Sequence, residues 1–527
     1  MLWPFYLITN FFMTIKNKSS VKLNVSFLRR KPFLFIDKLI KEFPKAEVYI
    51  VGGPVRDLLL GLEIKDCDFV VRNVKGKKLE IFLKKLGKTN LVGKYFGVFK
   101  FKPKGSDLPE FDIALPRTEH SLNFRGQYKD FDVQTDPKLD IKKDLARRDF
   151  TINAMAIKLS RQSRRDAFDG TKKGSLEIVD EFGGMEDLKN KIIKTVGKPQ
   201  NRFKEDYSRM LRALRFSCQL DFEIDKNTLA TIKKLMPHLN DKKGKERIVP
   251  FEVIAKELLK TFVASPVKAF DLYDKTNAFK TLMPEILRMK KCPQPKKWHC
   301  EGDVWQHTRL SLQRLTESNF KKKFKDASIN AELVIGLLLH DIGKPYTLKT
   351  PQKDGVDRLR SNEHDTYGAK LAEKICRQLK LTSPAEFEFK IENIVMIIQK
   401  HLLLVHGDPN VMRNTTLEKY FFKDHVLGQT FLKLIYADAS ATVPPSGKPD
   451  MTLFNKLTKR LAKLEKLSLK KEKVLTKSIV TGDDLIKSLK LKQGPQIGKL
   501  LNIVREAQLS GKIKTKKQGL TYIKKYI

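Results

Sequence analysis

Val48-Tyr-Ile-Val-Gly-Gly-Pro-Val-Arg-Asp-Leu-Leu-Leu-Gly61, continued by Leu-Glu-Ile-Lys-Asp66-Cys-Asp68-Phe-Val-Val71, is the stretch on which the reading of this chain turns. An apolar β run ends at Gly52-Gly53, Pro54 suits the first turn of a helix, and Gly61 suits its end. A second β run carries two aspartates two positions apart, and side chains so spaced share one face of a strand. Asp66 and Asp68 would then project together beside the glycine turn. Paired carboxylates hold divalent metals, bare N–H groups at a helix start receive phosphate, and Arg56 adds a cation. The combination suits metal-assisted transfer from a nucleoside triphosphate. Alone, an Asp-x-Asp pair also fits a surface strand and a Gly-Gly pair a simple turn, so the rest of the chain must discriminate.

Length and charge set the bounds. A chain of 527 residues has room for about three or four domains, and its apolar fraction of 41% is ordinary for packed cores. The formal charge of +43 points to a polyanionic partner, nucleic acid first, held with an affinity that falls with salt. Lysine is frequent throughout, so a generally lysine-rich proteome is the competing explanation. Cys67, Cys218, Cys292, Cys300 and Cys376 are scattered, odd in number and form no Cys-x-x-Cys. That pattern fits a reducing cytoplasm and argues against a disulfide framework or a zinc ribbon. The apolar run Met1–Phe12 is shorter than the roughly 20 residues needed to span a bilayer, and it lacks signal-peptide features. Met13 reads as the more natural beginning, which suggests a misplaced start, with a peripheral anchor as the alternative. No other segment reads as transmembrane, and the oligomeric state stays open.

Further along, β runs at 47–51, 67–72, 97–102, 110–115 and 153–159 alternate with short helical stretches, and from about Gly174 the pattern turns helical almost throughout. Proline- and lysine-rich breaks fall at Lys290–Lys297 and Val443–Pro449, and Leu453–Leu475 reads as a lysine-laden helix. Ala146-Arg147-Arg148-Asp149-Phe150-Thr-Ile-Asn153 offers cations and a carboxylate before an apolar run, suited to phosphates and sugar hydroxyls, although Arg-Arg-Asp alone is commonly a solvated charge run. Glu205-Asp206-Tyr-Ser-Arg209-Met-Leu-Arg212-Ala-Leu-Arg215 has helical spacing, with Glu205 and Asp206 four and three residues from Arg209. It reads either as a salt-bridged surface helix or as a planar set of donors and acceptors matched to a base edge.

Taken in order, Gly52-Gly53-x-Val-Arg56-Asp57, Asp66-x-Asp68, Arg147-Arg148-Asp149-Phe-Thr and Glu205-Asp206-x-x-Arg209 resemble the class II tRNA nucleotidyltransferase and bacterial poly(A) polymerase family over roughly residues 34–290. The resemblance implies an α+β architecture: a polymerase-β-like nucleotidyltransferase head followed by all-α neck, body and tail. It implies that Asp66 and Asp68 hold two magnesium ions, with Asp112 as a third carboxylate where the family usually carries Glu. Gly52, Gly53 and Arg56 would cradle the triphosphate. Arg148 and Asp149 would contact the ribose. Glu205, Asp206 and Arg209, with Arg212 beside them, would form the nucleotide-binding template selecting CTP and then ATP. Asp180–Leu188 would be the flexible joint of head and neck. The segment Lys94-Tyr95-Phe96 lacks the second basic residue typical of poly(A) polymerases, which favours CCA addition to tRNA. A poly(A) polymerase and a CC- or A-adding specialist remain alternatives.

Histidine is scarce, yet seven of nine lie between His299 and His425. A His–Asp pair inside an apolar run is costly unless coordinated or hydrogen-bonded. One such residue is easily a satisfied core histidine, whereas an ordered series is not. The series resembles a metal-dependent HD phosphohydrolase domain. This implies that His307, His340, Asp341 and Asp438 ligate one divalent metal of unknown identity, with His364 and His401 supporting a second, and that the substrate is a phosphate ester at an RNA end. His299, Cys300 and His406 read as bystanders. The expected layout is an extension at 1–32, the head at 33–172, a helical neck and body at 173–290, the HD domain at 291–445 and a basic RNA-binding tail at 446–527. The rivals are an HD phosphohydrolase with an inactive head and a non-catalytic RNA-binding protein. An Asp66→Ala variant is expected to lose nucleotide incorporation while still shifting tRNA in a gel. Incorporation retained by that variant would refute the assignment.

Overall fold

Alternation of apolar side chains builds the sheet that carries the first site. The structure, a computed structural model, describes residues 20–22, 31–62, 64, 67–92, 97–106, 110–121, 131–160, 175–467 and 475–527. The chain divides into two compact units, Met1–Glu257 with Leu272–Thr281, and Leu258–Asp271 with Leu282–Ile527.

In the first unit the strands are β1 (Ser20–Lys22), β2 (Glu47–Val51), β3 (Asp68–Arg72), β4 (Gly87–Val92), β5 (Val98–Pro103), β6 (Phe111–Ala114), β7 (Arg117–Ser121), β8 (Phe131–Thr135), β9 (Ala156–Leu159) and β10 (Ser175–Val179). Eight of them form one sheet in the order β1-β10-β9-β2-β3-β6-β5-β4, and β7 pairs with β8. Within the sheet, β3 and β6 run parallel and the other pairs antiparallel. The period of two decides the faces. Phe69, Phe101 and Phe111 point to one side and meet Phe33 and Phe35, with ring centroids 5.1–6.4 Å apart. Aromatic pairs of this kind, four of the six edge-on, contribute about 0.5–1.5 kcal/mol each beyond burial. Tyr49, Val51, Val70 and Ala156 face the other side, packed with Ile141, Leu145, Ala154 and Val196. Asp68 and Asp112 stand on that second face by the same alternation.

Several sequence expectations are corrected here. The sheet reaches past both limits expected for the head, because β1 lies before residue 33 and β10 after residue 172, and the two pair with each other. The run expected as a strand at 153–159 begins as a 3-10 turn over Thr151–Asn153, and β9 covers only Ala156–Leu159. Beyond β10 the first unit is helical apart from two-residue ladders at Ile192–Ile193 with Glu223–Ile224 and Lys242–Lys243 with Glu246–Arg247. The helix expected at 453–475 is Thr452–Glu465, and residues 468–474 lie outside the described residues. So do Met1–Phe12.

The second unit is helical. Ala331–Leu339, an entirely buried helix, is its centre, packed against Val304–Arg314, Ile391–Lys400 and His425–Ala441, with His364–Gln378 lying on Ile391–Lys400. Its last part packs Gly482–Leu489, Pro495–Leu509 and Lys516–Ile523 around Leu485, Leu500 and Val504. Among the described residues no helix is long and apolar enough to cross a membrane.

The segment expected as a joint is held by a cap: both carboxylate oxygens of Asp180 accept backbone N–H bonds, from Gly184 at 2.7 Å and Met185 at 2.9 Å. A Cβ on Gly184 would come within 2.3 Å of the Thr151 carbonyl oxygen and 2.9 Å of the Met155 side chain. Gly184→Ala is therefore expected to destabilise the first unit by about 1–3 kcal/mol. The measurement is the urea midpoint for proteolytic cleavage within the first unit, and an unmoved midpoint would show that this approach is not tight.

Candidate active site and metal centre

The first site is assembled by strand register. Ile50 of β2 lies opposite Phe69 of β3, so the Gly52-Gly53 turn after β2 comes level with the start of β3. Asp68 lies beside Asp112 on the parallel neighbour β6, and Asp112 lies opposite Lys100 on β5. The Lys100 Nζ stands 2.6 Å from Asp112 Oδ1, a cation against a buried oxygen that has no hydrogen bond of good geometry. Asp66 lies outside the described residues, as does Lys94–Phe96, and β3 begins at Asp68.

Pro54 stands in the first turn of the helix Gly53–Leu59, as expected. Gly52 has φ +78, and a Cβ there would lie 2.5 Å from Arg148 Nη1. Glycine thus supplies both the left-handed backbone and the room for a guanidinium against the turn. Arg148 is buried, which lowers its pKa, and it pairs with Asp144 at 3.6 Å. Arg56 donates to Asn153 Oδ1 at 2.8 Å and to Asp57 at 2.8 Å. Asn153 in turn donates to Asp149 Oδ1 at 3.4 Å, and Arg212 grips Asp149 Oδ2 with two nitrogens at 2.8 and 2.7 Å. Burial would raise the Asp149 pKa, but the charges of Arg212 and Arg209 outweigh it and hold the group at about 2. Arg56 and Arg212 also lie over the Phe216 ring, at 5.2 and 5.4 Å from its centroid.

The expected continuous helix through Glu205 and Arg209 is broken. Pro199–Glu205 ends where Asp206 turns to φ −152, ψ 106, and Ser208–Leu220 begins after it. The cause is local: the Asp206 carboxylate accepts the Ser208 N–H at 2.8 Å and satisfies an orphan donor of the second helix. Glu205 still meets Arg209 at 2.6 Å, with Arg202 also on the same carboxylate at 2.8 Å. Burial raises the Asp206 pKa against the opposing charge of Arg209. Asn153, Arg202 and Lys100 were not singled out from sequence. Arg202 had a readable signal, standing three residues before Glu205 on a helix.

In the second unit, six residues from five separate places in the chain meet. His340 and His401 end the apolar helices Ala331–Leu339 and Ile391–Lys400, His364 begins a helix, and His307 and Asp438 lie within theirs. The Nδ1 atoms of His340, His364 and His401 lie 2.7, 2.6 and 2.7 Å from the carbonyl oxygens of Leu337, Ser361 and Ile398. A carbonyl only accepts, so each Nδ1 donates and the Nε2 atom of each ring faces inward. The inward atoms converge in two groups, His307, His340 and Asp438, and Asp341, His364 and His401. Asp341 links them: Oδ2 is 3.3 Å from His340 Nε2 and Oδ1 is 3.4 Å from His364 Nε2 and 3.6 Å from His401 Nε2. His307 Nε2 lies 3.0 Å from Asp438 Oδ1. Lys344 Nζ stands 2.7 Å from Asp341 Oδ2 in ion-pair contact, yet neither Asp341 oxygen nor His340 Nε2 has a hydrogen bond of good geometry. Burial works against a charged His340, but Asp341 and Asp438 reverse it and raise its pKa to about 10. Buried imidazole and carboxylate atoms, with His340 Nε2 and both Asp341 oxygens orphaned, fit a divalent metal.

His299, read as a bystander, bonds Glu301 at 2.7 Å, while Cys300 and His406 are exposed. Glu301 was missed; its only signal was a carboxylate beside the first histidines.

Family models match three stretches: Poly A polymerase head domain at residues 48–194, HD domain at 306–424, and tRNA nucleotidyltransferase domain 2 at 370–523. The Multifunctional CCA protein of Neisseria meningitidis serogroup C is 32% identical over 353 residues, covering 63% of this chain and 72% of that protein. Its counterpart from Alkalilimnicola ehrlichii is 29% identical over 421 residues, covering 76% and 86%. The Bacillus stearothermophilus CCA-adding enzyme in complex with CTP matches with a TM-score of 0.59 and 22% identity, over 94% of this chain and 98% of that one. The Thermotoga maritima CCA-adding enzyme complexed with tRNA matches at 0.52 and 21%, over 93% and 92%. These structural likenesses establish the fold. A mixed-sheet head of this kind followed by an HD domain defines a nucleotidyltransferase, and both domain types imply dependence on divalent metal. Within that class, the chain belongs to the family of the multifunctional CCA proteins, the CCA-adding tRNA nucleotidyltransferases.

The Asp149–Arg212 pair gives a pH test. A carboxyl held at about 2, against an ordinary 3.8, contributes stability that is complete above the ordinary value and lost as pH falls through the lowered one. Arg212→Met is expected to cost on the order of 2 kcal/mol at pH 7, reduced from a fully buried pair by partial exposure of Arg212. The gap to the parent should narrow between about pH 4 and pH 2. Urea midpoints across pH check this, and a gap independent of pH would reject the pair as its source.

Proposed function

We propose that this chain rebuilds the 3′ end of tRNA in the cytoplasm, adding CMP, CMP and then AMP with magnesium at the head carboxylates. The observation that carries the reading is the register of Asp68 beside Asp112 next to a glycine turn, with Arg56, Arg148 and the Asp149–Arg212 pair around it. Free cysteines throughout the described residues accord with a reducing compartment.

Asp66, Asp68 and Asp112 would hold the metal. When bound there, divalent metal supplies the Lewis acidity that activates the terminal 3′-hydroxyl and offsets charge on the departing pyrophosphate. Gly52 and Gly53 let the triphosphate approach the backbone, and Arg56 and Arg148 answer its charge. Asp149, ionised across the working pH range, is suited to accept from ribose hydroxyls, with Arg212 keeping it in place. Asp206, Glu205 and Arg209 supply acceptors and donors for the base edge, and their anchoring through Ser208 and Arg202 fixes where those atoms stand. In the second unit, His307, His340, Asp341, His364, His401 and Asp438 would hold a divalent metal for hydrolysis of phosphate esters at RNA ends. The basic tail, residues 446–527 in the proposed layout, would grip RNA by its backbone.

The test is a tRNA transcript lacking its last three nucleotides, incubated with the protein, magnesium and CTP, ATP or both. Growth by three nucleotides only when both are present is the expected result. Growth by two with CTP and no further growth with ATP would replace the reading with a CC-adding specialist. A long ladder with ATP alone would replace it with a poly(A) polymerase. No growth would leave only the HD activity.

A further inference from the structure

Three of the four inward-facing imidazoles in the second unit are held by backbone carbonyls; His307 is held differently. Its Nδ1 donates to Glu301 Oε1 at 2.8 Å. His299 Nδ1 lies on the same oxygen at 2.7 Å, and the other oxygen accepts the Val443 N–H at 3.0 Å. Cys300 N donates back to the Val443 carbonyl at 2.7 Å. Glu301 is therefore joined both to His307 and to the strand of backbone that follows the helix His425–Ala441, on which Asp438 sits. Its side chain is only 4% exposed, a cost that charged hydrogen bonds have to offset. A carboxylate behind an imidazole fixes its tautomer and strengthens the opposite nitrogen as a donor to metal, in a way a carbonyl does less strongly.

We infer that Glu301 is a positioning residue for the metal centre, holding His307 in the ligating tautomer and making the His307–His340–Asp438 group the tighter of its two metal positions. The inference rests on the HD reading above. Charge points the same way: that group has a carboxylate of its own in Asp438, whereas His364 and His401 share only Asp341 Oδ1, the other Asp341 oxygen being answered by Lys344. Glutamine cannot replace Glu301, because three donors converge on it and an amide has one acceptor oxygen. If that oxygen faces the imidazoles, the amide N–H₂ abuts the Val443 N–H. If it faces Val443, the N–H₂ forces His307 Nδ1 to accept, and a proton on Nε2 then blocks the metal position.

The experiment is titration of the metal-stripped full-length chain with Co²⁺, followed by its visible d–d absorption, which reports entry of the ion into a protein coordination shell independently of any turnover. The parent is expected to show two binding steps of unequal strength. Glu301→Gln should weaken the tighter step about 10–100-fold, the range for loss of such a partner. Glu301→Asp, which keeps the carboxylate, should recover part of that loss, and His299→Ala should stay within about threefold because His307 retains its partner. Melting of each metal-free variant checks folding, and Glu301→Ala replaces Glu301→Gln if the latter does not fold. A tight step unchanged in Glu301→Gln, or lost as fully in Glu301→Asp, would overturn the inference while leaving the HD reading intact. A parent that gives no cobalt band would instead defeat the HD reading itself.

Discussion

Asp149 keeps its charge with little water around it, and the first unit is arranged to make that tolerable. Arg212 answers it from the helix Ser208–Leu220, Asn153 from the turn that follows it, and Arg56 from the helix after the glycine turn through that same Asn153. One carboxylate therefore ties three separate stretches of chain into a fixed arrangement. Removing any one partner leaves another polar group buried without an answer, which is why such networks act as units. Phe216 adds an apolar floor beneath Arg56 and Arg212, so the guanidinium groups are held by a ring face as well as by hydrogen bonds.

The candidate metal centre obeys the same constraint with different parts. Apolar helices bring His340 and His401 to their C-terminal ends, where carbonyls lack intrahelical partners, and the imidazole N–H groups satisfy them. The requirement of the helix end and the requirement of the ligand are met by one bond. Asp341 then lies where both groups of histidines can reach it. The negative potential this creates raises His340 toward a charged form in the absence of a cation, a measure of how strongly the cluster favours positive charge.

Legibility in the sequence followed how local the cause was. The turn Gly52-Gly53-Pro54, the end at Gly61 and the strands around Val48 and Phe69 were readable because dihedral preference and alternation act over a few residues. The candidate metal ligands of the second unit were readable as an ordered series of scarce histidines, with His340-Asp341 closing an apolar run. The break at Asp206 was not, since helical spacing continues through it and only the bond to Ser208 N–H ends the first helix. Nor was β10, which takes its place in the sheet from pairing with β9 and β1, distant in the chain.

Sequence alone determined the chemistry available: carboxylates in pairs, an arginine-rich stretch, scarce histidines set in order, and a large positive charge. These are properties of residue type and short spacing, and no packing can change them. Tertiary structure decided which groups face one another. Lys100 against Asp112, Arg212 on Asp149 and Glu301 behind His307 are separated by 12, 63 and 6 residues; the first comes from strand register, the second from the helix Ser208–Leu220 lying against Asp149, and the third from the loop that leads into the helix Val304–Arg314. The energy of a buried charge depends on its neighbours in space. The partners that hold these sites in place therefore become visible only when the chain is folded.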